Sequence, residues 1–436
     1  MSIHHGRRPA AILLGIAIGV LPAATAASAA DTAQQTAAAA HDEFRIVALG
    51  DSISLGYEPG VTRAADIYGY ADRLYVNALL GGRARLDNYG ALGLQSAGLT
   101  KLLEGATTGT KLTADELQDY SAYAADAKAQ ADSVAARAPE IRDSLADADL
   151  VTLSIGGNDF AALVRGLTGE ANGDALSAFE AAFDDKLNIY AEQLQANLRT
   201  LHTLAPQARI EVADQYSPVS KIAGDTMYKA LNAAIDKLSA RLDDIQTKLA
   251  AEGVQVDVAH VGSVFRGQEV LYSHFSPLFG IIDIHPTQAG YEQIARAFAA
   301  PIWPAYTEIA PSDKAANPAP AVYIKGKLLA TANKPQLKSN TTFLALSDVA
   351  AATGAELKWD NKTKTAVFKQ NGREVKLTIG AKTILVNGVA RTLNVPAYLQ
   401  KVGKENKTYV PLAAITEGLD YQVAYQAKLH TAFINS

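Results

Sequence analysis

Cysteine is absent from the 436-residue sequence. Its absence rules out a disulfide framework, a thiolate metal site and a lipid-modified cysteine at the end of a leader. Past residue 29 there is also no apolar run long enough to cross a bilayer, so no transmembrane segment is expected in the mature chain. Charge of one sign is not abundant either. The formal net charge is −5, and nothing in that balance points to a nucleic-acid partner. What is present is a globular composition, 48% apolar and 19% charged, long enough for two or three cores.

Residues 1–29 stand apart. Arg7 and Arg8 precede an apolar run over residues 10–21, and Ala27-Ser28-Ala29 follows. A basic start, an apolar middle and a small-residue cleavage site are the parts of a secretory signal. The alternative, a membrane anchor, is opposed by the shortness of the run and by Pro22. The mature protein is therefore expected to be secreted, outside the cytoplasm. Residues 30–43 read as a flexible Ala/Gln/Thr lead.

Over residues 44–306, apolar strand candidates alternate with amphipathic segments. The strands are predicted at residues 45–49, 84–89, 150–155, 209–213 and 254–259. The clearest helix carries Leu231, Ile235, Leu238, Leu242, Ile245 and Leu249, spaced by fours and threes, an apolar stripe suited to packing on a sheet. This alternation predicts a parallel sheet with helices on both faces. Residues 99–149, Ala-rich with Tyr120 and Tyr123, read as inserted helices near the site, with a lid role left open.

Residues 307–320 read as a proline-containing linker, which implies that residues 321–436 fold independently. Residues 321–436 show short strands in a duplicated unit. Asn340 to Leu346 corresponds to Asn406 to Leu412, Lys364 to Phe368 to His430 to Ile434, and Lys325-Gly326 to Asn387-Gly388. This part holds 16 Lys and Arg against 7 Asp and Glu, a net of +9, beside 24 basic and 38 acidic residues in the rest, a net of −14. A basic tail on an acidic body fits docking on an anionic cell-envelope polymer, although lysines on strands are more often solvated faces.

Four short segments carry chemistry. Ser52 follows the apolar run 44–49 in Gly50-Asp51-Ser52, at the carboxyl end of a strand, where open α/β sheets place their sites. Its hydroxyl suits a nucleophile and its backbone N–H an oxyanion donor. Asn88 to Gly93 ends the second strand, and Gly93 presents an N–H with no side chain in the way of a carbonyl. Ile155-Gly156-Gly157-Asn158-Asp159 ends the third and adds the Asn158 side-chain amide, while Asp283-Ile284-His285-Pro286 offers His285 as base. Alone, each has a plainer use: Ser52 as a helix cap, Asn158-Asp159 as a turn pair, His285 as a surface histidine. Asp51 reads as a structural hydrogen-bonding residue, Asp159 as a turn-former, and His260 and His274 as rival bases without an adjacent aspartate.

The four segments, in this order, resemble the SGNH or GDSL-type esterases and lipases, named for their Ser, Gly, Asn and His blocks. The resemblance covers residues 44–306. It implies a flavodoxin-like three-layer α/β/α fold and hydrolysis of carboxylic esters without cofactor or metal. Ser52 and His285 would be catalytic, with Ser52, Gly93 and Asn158 forming the oxyanion hole. One departure stands out. The family aspartate lies three residues before the histidine, where this chain has Ile282. Either Asp283 orients His285 through a shifted turn, or a backbone carbonyl near Ile282 does so and leaves a dyad.

Residues 321–436 resemble the duplicated copper amine oxidase N-terminal-like domain, through Gly354 to Asp360, Thr363-Lys364-Thr365, Leu377 to Gly380, Val386-Asn387-Gly388 and Tyr409 to Leu412. A smaller α+β domain is implied. Copper is not, because His430 is its single histidine and methionine and cysteine are absent there. The expected function is a secreted serine esterase or lipase, with a lipid acyl ester, an acetylated glycan and acyl transfer all open. The alternative is a non-catalytic cell-surface binding protein on a hydrolase fold.

Overall fold

The five apolar runs form five strands in the computed structural model, which describes residues 43–166, 173–276 and 283–436. They are β1 (Phe44–Gly50), β2 (Ala84–Gly90), β3 (Leu150–Ser154), β4 (Arg209–Ala213) and β5 (Val256–Ala259). The expected secretory signal, and the lead after it as far as residue 42, lie outside the described residues. All neighbouring strands are parallel, in the order β2-β1-β3-β4-β5. That is the flavodoxin-like order, with the expected helical layer on each face.

Burial on both faces explains why β1 from Ile46 and all of β3 are buried at successive positions and mostly apolar rather than alternating. Ile46 and Ala48 face a core shared with α2 (Tyr70–Gly81) and α10 (Gln288–Ala299). Val47 and Leu49 face the larger core, closed by α3 (Ser96–Thr108), α6 (Ala138–Ala146), α8 (Gly173–Leu204) and α9 (Asp225–Ala251). The leucine stripe lies on α9, where Leu231, Leu238, Leu242, Ile245 and Leu249 are buried. Between β2 and β3 the Ala-rich segment forms α3, α4 (Ala114–Leu117), α5 (Ala125–Ala135) and α6. Leu99, Leu102, Val134, Ile141 and Leu145 bury it in the core, so these helices are a structural layer rather than a lid.

The C-terminal part is mostly β, with two short helices, Leu346–Thr353 and Leu412–Gly418, in corresponding places of the duplicated unit. Each half ends on a hairpin whose second strand follows a left-handed residue, Lys364 in one and His430 in the other. The halves interlock. The last strand, Thr431–Asn435, pairs with the first, Ala321–Ile324, and the strands opening the second half extend the sheet that ends the first. Neither half closes its sheets alone, which is the physical reason for the duplication.

The independence expected for this part meets a different arrangement. Leu429 and Phe433 are buried in the same core as Ile46, Leu74 and Leu79. The Gln422 side chain pairs with both backbone groups of Ala84 at the edge of β2, at 3.0 and 2.7 Å. Asn435 donates to the Leu79 and Gly82 carbonyls at the end of α2, at 2.8 and 2.7 Å. The segment read as a linker is also tied. Thr307 exchanges two 3.1 Å hydrogen bonds with Asn77, and the Ser312 N–H donates to Leu429 at 2.8 Å. Composition shows the prolines of such a segment but not the side chains that hold it.

Candidate active site

Ser52 sits where β1 turns into the one-turn helix α1 (Ser52–Leu55). Gly50 makes that turn possible. Its φ is +124°, and a Cβ there would lie 1.9 Å from the Ser154 carbonyl oxygen. Asp51 accepts the Ile53 N–H at 3.0 Å and so caps α1. Burial, with Asp159 nearby, pushes the Asp51 carboxyl up to about 7.

His285 Nε2 lies 2.9 Å from Ser52 Oγ, and His285 Nδ1 lies 2.8 Å from Asp283 Oδ1. The two-residue spacing works because the same carboxylate oxygen also accepts the His285 backbone N–H at 2.8 Å, closing a tight turn. Burial alone would raise the Asp283 carboxyl. The hydrogen bonds from the His285 ring and backbone outweigh it and hold the group below its ordinary value. The carbonyl near Ile282, the other acceptor considered, lies outside the described residues. Tyr57 packs edge-on against the His285 ring at 4.5 Å, and the Tyr216 hydroxyl donates to the Ile284 carbonyl at 2.8 Å.

The rival histidines have other partners. His260 meets Ser239 and Asp214 at 3.1 and 3.3 Å, and the His274 ring meets Glu58 at 3.3 Å. The His274 backbone N–H donates to the His285 carbonyl at 2.9 Å, and among the described residues neither rival ring is hydrogen-bonded to Ser52.

Gly93 has a φ of +75°, and a Cβ on it would lie 2.3 Å from the Tyr123 ring. Among the described residues, neither the Ser52 nor the Gly93 N–H has a protein acceptor. Asn158, on α7 (Gly157–Gly166), donates one amide hydrogen to the Leu94 carbonyl at 3.0 Å and keeps a second. Asp159 does more than form a turn. It accepts the Ser96 N–H at 3.0 Å and the Ser96 hydroxyl at 2.5 Å, joining α7 to α3.

A cavity of about 430 Å3 opens beside Ser52 and Asn158. Phe160, Val164, Phe179, Phe183, Leu231 and Leu238 give it mostly apolar walls. It lies beyond the carboxyl ends of the strands, where this topology places ligands. Its lining, and the polar side chains Gln118 and Gln130 beside the Gly93 loop, were not foreseen from the sequence. The α9 stripe was the one available signal for the lining, since a face that packs on the sheet also reaches the cavity. Among the described residues no group of acidic or histidine side chains could hold a metal ion, and no helix is long and apolar enough to cross a membrane.

The sequence profile described as GDSL-like lipase/acylhydrolase matches residues 46–298, and that of the copper amine oxidase N-terminal domain matches residues 323–434. No curated protein matches the chain. Among solved structures, the lipase Lip_vut3 from a goat rumen metagenome is 17% identical, over 59% of this chain and 96% of its own, with a TM-score of 0.39. An extracellular lipase of Streptomyces rimosus is 18% identical, over 59% and 99%, with a TM-score of 0.40. Phospholipase A1 of Streptomyces albidoflavus NA297 is 17% identical, over 59% and 98%, with a TM-score of 0.38. The first profile spans more than half of the sequence and takes in the Ser52, Gly93, Asn158 and His285 segments. The chain belongs to the GDSL-like lipase/acylhydrolase family and is a carboxylic ester hydrolase.

Proposed function

We propose that the protein is a serine esterase that cleaves esters of medium and long acyl chains through Ser52, His285 and Asp283. The observation that carries the reading is the His285 ring bridging Ser52 Oγ at 2.9 Å and Asp283 Oδ1 at 2.8 Å. Ser52 Oγ attacks the ester carbonyl carbon while its proton passes to His285 Nε2. The Ser52 and Gly93 N–H groups and the Asn158 amide receive the oxyanion. As the intermediate collapses, the carbon–oxygen bond to the alcohol breaks and His285 gives its proton to the departing oxygen. Water then attacks the acyl-serine carbonyl carbon as His285 Nε2 takes its proton, and as the bond from that carbon to Ser52 Oγ breaks His285 returns the proton to Oγ, releasing the acid. Asp283 keeps the ring proton on Nδ1, so that Nε2 enters each cycle as an acceptor.

The apolar cavity supports an acyl chain rather than acetyl as the group held there. Each buried methylene contributes about 0.8 kcal/mol, so kcat/KM for a p-nitrophenyl ester series should rise by roughly fourfold per carbon until the cavity is full. A series in which acetate is the best substrate would contradict the chain reading and leave the serine mechanism standing. Ser52→Ala should lose activity by about 10^4-fold or more, and Asp283→Asn by about 10^3- to 10^4-fold. Full activity in Ser52→Ala would overturn the mechanism and favour a binding protein on a hydrolase fold. A small loss in Asp283→Asn would favour the dyad.

Secretion, and docking of the basic module on an anionic envelope polymer, belong to the same proposal. The net charge of +9 after residue 320 supports it, as do the exposed side chains of Lys327, Lys362, Lys382 and Lys401. Because the module shares a core with the hydrolase, the test uses the full chain. Retention on purified cell walls should weaken as salt shortens the screening length below about 10 Å. Retention that ignores salt would contradict distributed lysine binding.

A further inference from the structure

The loop between β2 and α3, which carries Gly93, is held by side chains from the connection between α4 and α5 and from the middle of α5. Gln130 accepts the Leu92 N–H at 2.9 Å and donates to the Gly90 carbonyl at 3.0 Å. Gln118 accepts the Gln95 N–H at 2.8 Å and donates to the Gly93 carbonyl at 2.8 Å. The Tyr123 hydroxyl donates to that same carbonyl at 3.1 Å. The Tyr120 hydroxyl donates to the Leu92 carbonyl at 3.1 Å, from a side chain that is 2% exposed.

The Tyr120 contact matters most. In a trans peptide the carbonyl and the following N–H point in opposite directions across one plane. Holding the Leu92 carbonyl toward Tyr120 therefore aims the Gly93 N–H the other way. The next peptide plane is pinned as well, by Gln118 and Tyr123 on the Gly93 carbonyl and by the Leu94 N–H on Ala91 at 3.2 Å. Gly93 could turn over its flanking peptides freely by its own conformational range. A flip of the Leu92–Gly93 peptide would instead cost the Tyr120 bond and bury an unpaired hydroxyl.

We propose that Tyr120 is a positioning residue for the oxyanion donor, fixing the direction of the Gly93 N–H through the Leu92 carbonyl, with Gln130 holding the adjoining N–H. The proposal rests on the ester-hydrolase reading and adds how its oxyanion hole is kept formed before substrate arrives. Tyr120 touches no reacting atom. Its effect is on the transition state, where the oxyanion needs a donor aimed within a few tenths of an ångström.

The test is Tyr120→Phe, which keeps the ring and removes the donor. Its kcat should fall by about 10- to 100-fold with KM changed by less than about twofold, the pattern of an interaction felt mainly in the transition state. Inactivation by a phosphonate ester, a tetrahedral mimic, should slow by the same factor. Tyr421→Phe is the matched control. Its buried hydroxyl also donates to a carbonyl, that of Thr353 at 2.9 Å, but in the C-terminal module, and kcat should be unchanged. If Tyr120→Phe kept wild-type kcat while losing thermal stability as the control does, the residue would be packing only and the proposal wrong. Should that variant fail to fold, Gln130→Met asks the same question from the Leu92 N–H, and wild-type kcat there overturns it equally. Wild-type protein that fails to react with a fluorophosphonate would instead sink the ester-hydrolase reading itself.

Discussion

The two sides of Ser52 are built from opposite materials. Toward β2 and α3, polar side chains are committed to backbone groups: Gln118, Gln130, Tyr120, Tyr123 and Asn158 all bond the loop of residues 90–95. Toward α7, α8 and α9 the wall is phenylalanine and leucine around an open cavity. A donor that must meet developing charge needs a fixed direction, which hydrogen bonds supply and apolar contacts do not. A methylene chain needs volume and dryness without direction. Turnover and chain-length selectivity should therefore be separable by mutation, one side at a time.

The largest effect is expected on the polar side. Gly93→Ala places a Cβ against the Tyr123 ring at a backbone conformation that alanine resists. Its kcat should fall by about 100- to 1000-fold, the usual cost of one oxyanion donor, and by the same factor for every acyl length. A loss confined to long chains would show that Gly93 belongs to the wrong wall. Next comes Ala234→Phe, which fills part of the cavity from α9. Here kcat/KM for a ten-carbon ester should drop by about tenfold or more, while the acetyl ester changes by less than about threefold. Equal losses for both would mean that the acyl group does not lie in this cavity.

The smallest effect concerns Asp51, which lines the cavity between the two walls. Its folded value of about 7 is raised above the ordinary 3.8. A raised carboxyl contributes stability that is fully present below the unfolded value and is lost as pH rises through the folded one. Melting temperature should therefore decline between about pH 4 and pH 7, and Asp51→Asn, which keeps the Ile53 acceptor, should flatten that decline. An unchanged pH dependence in the variant would contradict this role.

The same contrast explains what the sequence made legible. The sheet could be read because β1 and β3 are buried on both faces, which makes them mostly apolar without alternation, and because Leu231 to Leu249 repeats at helical spacing. Ser52, Asn158 and His285 each stand in a short motif after a strand, and the structure puts Ser52 Oγ against the His285 ring and lines one cavity with Ser52 and Asn158. Asp283 was harder. Its spacing departs from the family pattern, and only the turn that bonds it to both the ring and the backbone of His285 shows how it reaches Nδ1. Gln118 and Gln130 gave no signal, since a glutamine in an Ala-rich segment looks solvated until its backbone partners are seen. The contact between the modules was equally hidden. Phe433 lies within the repeat segment His430 to Ile434, yet it and Leu429 are buried in the same core as Ile46 and Leu79. Local pattern reports that a face is apolar and is silent about which element covers it.

Ser52 as the nucleophile of an acyl-ester hydrolase is the point on which both walls of the site depend. Intact protein treated with a fluorophosphonate and digested for mass spectrometry should carry one phosphonyl group, on the peptide containing Gly50-Asp51-Ser52, and Ser52→Ala should carry none. An adduct on another serine, or equal labelling of Ser52→Ala, would contradict it.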